Sequence, residues 1–177
     1  MNKVLLHICC GVCAFSCIEQ LKEENFYVEG FFFNPNIYPY QEYKKRKDVL
    51  ETVRESTKIL IREGTYNASS WFALCKKYYH EPEKGVRCQL CFRMRLEETF
   101  RYAKKNNFDF FTTTLTISPY KNSTVINQIG AKIGGAKFLQ RDFKKKDGFK
   151  KTLLFANKYK VYHQNYCGCI YSLRIAK

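Results

Sequence analysis

The chain has 177 residues, enough for one domain with a sizeable core, and its 45% apolar and 16% aromatic content excludes a disordered chain. No run approaches the ~18 apolar residues that span a bilayer, and the N-terminus shows neither a long apolar stretch nor a small-residue cleavage site, so a cytoplasmic protein without a membrane partner is expected. Lys and Arg total 31 against 16 Asp and Glu, a net charge of +15 that favours an anionic partner such as RNA, although a basic, soluble surface has the same composition.

Taken in chain order, short β-rich runs alternate with longer helical ones. Lys3 to Ile8 reads as a buried strand, apolar throughout, and a cysteine-rich turn follows it. Cys13 to Glu24 reads as a helix, and Tyr27 to Phe33 as a second strand ended by the Asn34-Pro35-Asn36 turn. Tyr40 to Ser56 is a charged helix, Lys58 to Arg62 a third strand, and Ala68 to Tyr78 a further helix. Leu90 to Asn106 carries Phe92, Leu96, Phe100 and Ala103 on one stripe and is the clearest helix of all. Asp109 to Thr113 is a strand, Val125 to Ile133 a helix, Ala136 to Leu139 a short strand and Thr152 to Tyr159 a helix. Lys144 to Lys146 reads as a solvated loop. This alternation predicts a single α/β domain over residues 1–177, with a mostly parallel sheet flanked by helices. In such sheets ligands sit at the carboxyl ends of the strands, which is where Cys9, Cys10 and the Thr114 to Tyr120 loop should fall.

Nine cysteines without a secretion signal point to metal or catalysis rather than to a disulfide framework, and an odd count cannot pair completely. Cys9 and Cys10 are adjacent, so a bond between them would be strained; two thiols at a strand end, beside Gly11 and the positive end of a helix, suit a metal centre. They also suit inert burial, which is common for cysteine. Cys88 and Cys91 form a CxxC at a helix start, read as metal ligands, a redox dithiol or half of a zinc site. Together the two pairs supply four thiolates, the complement of an iron–sulfur cluster or of a tetrahedral zinc. Cys167 and Cys169 form a CxC that can clasp a metal, close a strained redox disulfide or be structural. Cys13 is a possible second-metal ligand, Cys17 faces the core or the site, and Cys75 reads as buried. The sequence holds no GxxxxGK phosphate loop, no HExxH, no GxSxG elbow, no GxGxxG after the first strand and no zinc-deaminase signature.

The segments LLHICCGVC, FFFNPNIYPYQEYKKR, EPEKGVRCQLCFRMRLEET, FDFFTTTLTISPY and YHQNYCGC occur in this order from Leu5 to Cys169. As a set they resemble the QueH type of epoxyqueuosine reductase. That resemblance implies a nucleotide-hydrolase-like (HUP-like) fold and the cobalamin-independent reduction of epoxyqueuosine to queuosine in tRNA, fed by an external electron donor. It implies a 4Fe–4S cluster held by Cys9, Cys10, Cys88 and Cys91, with a possible additional mononuclear iron. Cys13, Asn67, Cys167 and Cys169 are then candidates for the second metal or for redox work. Asn34, Asn36, Tyr120 and Arg87 are candidates for substrate binding, with Tyr38 and Tyr40 as further stacking surfaces and Arg46, Arg93 and Arg95 as further phosphate contacts. No DNA partner is expected. His7 reads as a ligand-orienting group, a proton source or a satisfied core histidine. Three positions depart from the family pattern: Val12 stands in place of proline, Asn67 in place of an aspartate and His163 in place of an arginine. The substitution at Asn67 bears on the second iron. A zinc-stabilised RNA-binding module without catalysis is the competing reading, and a metal-free thiol-redox enzyme a third.

Overall fold

Val4 to Ile8 have no exposed surface, so strand β1 (Lys3–Ile8) is covered on both faces, which is why it reads as a continuous apolar run. The computed structural model describes residues 1–175. β1 pairs in parallel with β2 (Tyr27–Phe32) on one side and β4 (Phe110–Thr113) on the other, and β3 (Ile61–Glu63) extends the sheet beyond β2. The order is therefore β3-β2-β1-β4, all parallel.

Period-two alternation splits the core between the two faces of the sheet. Val4, Leu6 and Ile8 pack with α1 (Gly11–Glu23), α2 (Tyr40–Thr57) and α6 (Gly148–Tyr159). Leu5 instead joins Phe31 and Phe111 beneath α4 (Val86–Lys105) and α5 (Ser123–Gly134). Full burial of each such aliphatic side chain contributes about 1.5–3 kcal/mol. The start of α1 lies hard against α2: a Cβ on Gly11 would sit 2.7 Å from Cγ1 of Val49, so only glycine permits this approach.

The parallel α/β architecture is as expected, with differences at element ends. α2 runs to Thr57, where the Thr57 hydroxyl donates to the Val53 carbonyl (2.6 Å) and Lys58 ends the helix in the left-handed region. The third strand is pushed along to Ile61–Glu63 as a result. The expected strand over Ala136 to Leu139 is instead a 3-10 turn, Gly135–Lys137, with a single bridge from Phe138 to Phe111. Gly135 turns the chain at φ 54°, leaving too little extended backbone for a strand. The helix expected from Leu90 begins at Val86, so Cys88 and Cys91 both lie inside α4. The segment Ala68 to Tyr78 divides into α3 (Ala68–Cys75) and a 3-10 turn over Lys76–Tyr78. Among the described residues, no helix is long and apolar enough to cross a membrane.

β1 is flanked by β2, which leads outward to β3, and by β4, which is entered from the opposite direction. The point where strand order reverses lies between β1 and β4, and their carboxyl ends open there into the site.

Candidate metal centre

Cys9 leaves β1 and Cys10 is the extended N-cap of α1, so Cys13 follows one turn later on the same side. The three sulfurs lie within 4.8 Å of one another. Thr114, just past β4, fixes the first of them: its hydroxyl oxygen accepts from the Cys9 amide (3.0 Å) and lies 3.2 Å from the Cys9 sulfur. Gln164 Nε2 reaches Cys10 Sγ at 2.9 Å and Cys13 Sγ at 3.8 Å. Hydrogen bonds from Cys10 and Cys13 hold the Cys9 thiol well below its usual range. Burial pushes Cys10 up to about 12, and its bonds to Cys10 and Cys9 push Cys13 up. Three sulfurs this close form a donor group that a metal ion could bridge.

A second set of thiols surrounds an adjoining cavity of about 150 Å³ lined by Cys88, Cys91, Cys167 and Cys169. A larger cavity, about 550 Å³, is lined by Cys9, Cys13 and again Cys167. Cys167, Lys84, Tyr120 and Lys121 border both spaces. The Lys84 amide donates to Cys88 Sγ at 3.2 Å. Burial raises Cys88, and Cys91 to about 11, whereas a hydrogen bond from Cys169 lowers Cys167. Lys121 stays protonated although burial opposes its charge, because Cys167 and Cys9 face it. All nine cysteines are free, so the disulfide among the readings of the CxC is not formed. Cys75 is buried with Trp71, Cys91 and Cys169, and Cys17 lies in the core beside α6.

The remaining candidates fall into distinct roles. Asn34 is structural in its contacts: Nδ2 donates to the Ile8 carbonyl (2.8 Å) and Oδ1 accepts from Arg95 Nη1 (3.4 Å). Asn36, from the same turn, borders the larger cavity, and neither of its buried amide atoms has a protein partner. Tyr120 is 72% exposed at the mouth of both cavities. Arg87 is buried, donates to the Tyr78 (3.1 Å) and Tyr79 (3.2 Å) carbonyls and to that of Glu81, and lies 4.2 Å over the Tyr171 ring. It braces the turn before α4 and faces the smaller cavity. Arg46 and Arg95 are also buried, whereas Arg93 is exposed and paired with Glu97 at 2.8 Å. Asn67 is exposed and caps α3, accepting from the Ser70 amide at 3.3 Å, and lines neither cavity. His163 borders the larger cavity, and burial together with Arg46 lowers its pKa.

His7 lies fully buried under the first thiol set. Its Nε2 is 3.1 Å from the Phe33 carbonyl, which can only accept, so Nε2 carries the proton. Nδ1 then accepts from the Thr113 hydroxyl at 2.9 Å. Burial, reinforced by Arg95, lowers this histidine to about 4, so the ring is neutral with both nitrogens hydrogen-bonded. Gln164 and Lys121 enter the site without having been singled out from sequence, whereas Thr114 opens the loop expected at the ligand edge. The only advance signal for the first two is position, three residues before Cys167 for Gln164 and just past that loop for Lys121.

Fold and site together define a class: a parallel α/β protein with a group of buried cysteines able to hold a metal at the carboxyl edge of its sheet. Within that class, the chain belongs to the family described as "Epoxyqueuosine reductase QueH", whose model matches residues 4–175. Relatives bearing that name include one from Acinetobacter baylyi, 36% identical over 177 residues that cover 98% of this chain and 81% of the relative. Another, from Thermotoga maritima, is 34% identical over 179 residues, covering 98% and 91%. Among solved structures, the U34-tRNA thiolase NcsA from Methanococcus maripaludis with its [4Fe-4S] cluster superposes with a TM-score of 0.58 at 16% identity, over 97% of this chain and 62% of that one. NMN synthetase from Francisella tularensis gives 0.53 at 11% identity, over 93% and 66%. These two likenesses concern the fold alone and agree with the expected nucleotide-hydrolase-like architecture.

Proposed function

We propose that this chain reduces epoxyqueuosine to queuosine in tRNA, in the cytoplasm and without cobalamin. The observation that carries the reading is a trio of thiols beside one cavity and four thiols around the adjoining one, with Cys167 bordering both, in a chain of this family. The reaction takes two electrons and two protons: both epoxide C–O bonds break, a carbon–carbon double bond forms and the oxygen leaves as water. The electrons come from an external donor.

The residues present suit an iron–sulfur cluster. The donor set is all thiol, which is soft, and cationic Arg95 and Lys121 border the larger cavity, where they offset the negative charge of thiolate-bound iron. Cys9, Cys10, Cys88 and Cys91 would hold a 4Fe–4S cluster, and Cys13 would hold an adjacent iron, with Cys167 and Cys169 as further thiols. A cluster supplies electrons one at a time, and an open iron supplies Lewis acidity toward an oxygen.

This chain's own groups then bind and orient the substrate. Tyr120, exposed at the shared mouth, offers a ring for an extruded base to stack on, and Lys84 beside it meets phosphate. Asn36 presents both a donor and an acceptor in the cavity wall. Lys121 holds a proton at Nζ beside the reaction space, where negative charge on oxygen develops. The test is anaerobic incubation with epoxyqueuosine-containing tRNA and a chemical reductant, followed by nucleoside mass analysis. The expected result is loss of one oxygen from the modified nucleoside. Unchanged epoxyqueuosine with iron-loaded protein contradicts the proposal.

A further inference from the structure

Residues 161–171 run between α6 and the 3-10 turn Ser172–Ile175 without pairing to any strand. Backbone ladders therefore do not fix this strap, yet it carries two groups of the site. Gln164 reaches the sulfurs of Cys10 and Cys13, and Cys167 borders both cavities. Side chains hold much of the strap, and several of them belong to α2. Arg46 Nη1 donates to the Cys167 carbonyl (3.1 Å) and Nη2 to the Tyr166 carbonyl (3.0 Å). Arg46 Nε donates to Glu42 Oε1 at 2.6 Å, and the Tyr162 hydroxyl donates to Glu42 Oε2 at 2.8 Å. The Tyr38 amide adds a bond to the Gly168 carbonyl (2.8 Å).

We infer that Arg46 is a positioning residue, which anchors the 162–169 strap so that Gln164 lies on Cys10 and Cys13 and Cys167 lies between the two cavities. Arg46 is buried and tied to Glu42 within its own helix, which holds its fork toward the strap. A guanidinium serves two successive carbonyls at once, and an ammonium does not match that geometry. Gly168 complements it. Its φ of +103° suits glycine, and a Cβ there would sit 2.8 Å from Arg46 Nη1. All bonds to the strap from Arg46 fall on backbone oxygens, which leaves the Cys167 side chain free for the site. A plain buried ion pair, by contrast, would end at Glu42 and leave the strap alone. The inference rests on this geometry and is independent of the reaction proposed above.

The test uses reduced, metal-free full-length protein under anaerobic conditions, with iodoacetamide labelling read cysteine by cysteine by mass spectrometry and hydrogen exchange read over residues 162–168. In Arg46→Gln, Cys10, Cys13 and Cys167 are expected to label at least about tenfold faster, the loss of about one charge-assisted hydrogen bond. Strap amides exchange faster, while Cys17, fully buried in the core and without a bond to the strap, keeps its wild-type rate. If Cys17 also accelerates because the variant folds poorly, Gly168→Ala decides: it pushes the strap off the fork without unpairing Glu42, and the same selective pattern is expected. Wild-type rates at Cys10, Cys13 and Cys167 in a folded variant overturn the inference. So does acceleration that spreads equally to Cys17 in both variants.

Discussion

Cys9, Cys10 and Cys13 are held by the core, whereas Cys88, Cys91, Cys167 and Cys169 ride on a helix start and a strap. The first set sits where the most buried strand runs into α1, with Thr114, His7 and Gly11 fixing the junction from three sides. The second depends on a turn braced by Arg87 and on a segment tied down by Arg46. The core-anchored half is expected to be the rigid one and the braced half the adjustable one. The cost of a mutation should therefore depend on which half it touches.

The largest effect expected is common to both halves. Cys10→Ala and Cys91→Ala should each abolish conversion of epoxyqueuosine and lower iron content, as measured by nucleoside mass analysis and metal analysis. Retained iron and activity in one of them would separate the two halves into unrelated sites.

The rigid half should respond to acid through His7. Its pKa is about 4 folded against 6.5 unfolded, so the unfolded chain binds the proton first. The stability this neutral histidine gives is present above about pH 6.5 and lost as pH falls toward 4, by up to about 3 kcal/mol. Urea unfolding of metal-free wild type and His7→Gln across that range reads it directly. Parallel slopes in the two proteins contradict the assignment.

Gly11→Val should cost about 1–3 kcal/mol by forcing α1 off Val49, and with it loosen the first thiol set. A thermal melt gives the stability loss, and faster alkylation of Cys13 than of Cys91 shows that it is confined to the rigid half. Smallest of all, Asn67→Ala should cost about 1 kcal/mol as the loss of a helix cap and leave iron content at the wild-type level. A drop in iron on that substitution would instead place Asn67 at the metal site.

The sheet was legible because its signals are local: an apolar run for β1, a turn at Asn34-Pro35-Asn36, a 3.6-residue stripe along α4. Element ends were less so, since Lys58 in the left-handed region and Gly135 at positive φ are settled by packing rather than by pattern. Cysteine pairs stand out by spacing, yet spacing alone left zinc and iron–sulfur open, and it could not show that Cys13 closes a trio with Cys9 and Cys10. The arginines show the limit most clearly. Arg46, Arg87 and Arg95 look like surface arginines in a basic sequence, whereas each is buried at a cavity wall and donates to a carbonyl, at a separation of up to 121 residues. Arg93, by contrast, lies at the surface and pairs with Glu97.

The central claim is that the two thiol sets together hold iron and sulfide. Anaerobically purified wild-type protein, assayed for iron, zinc and acid-labile sulfide, tests it most directly. The account predicts a brown protein with at least about four irons and about four sulfides per chain. A colourless protein carrying a single zinc and no sulfide would contradict it.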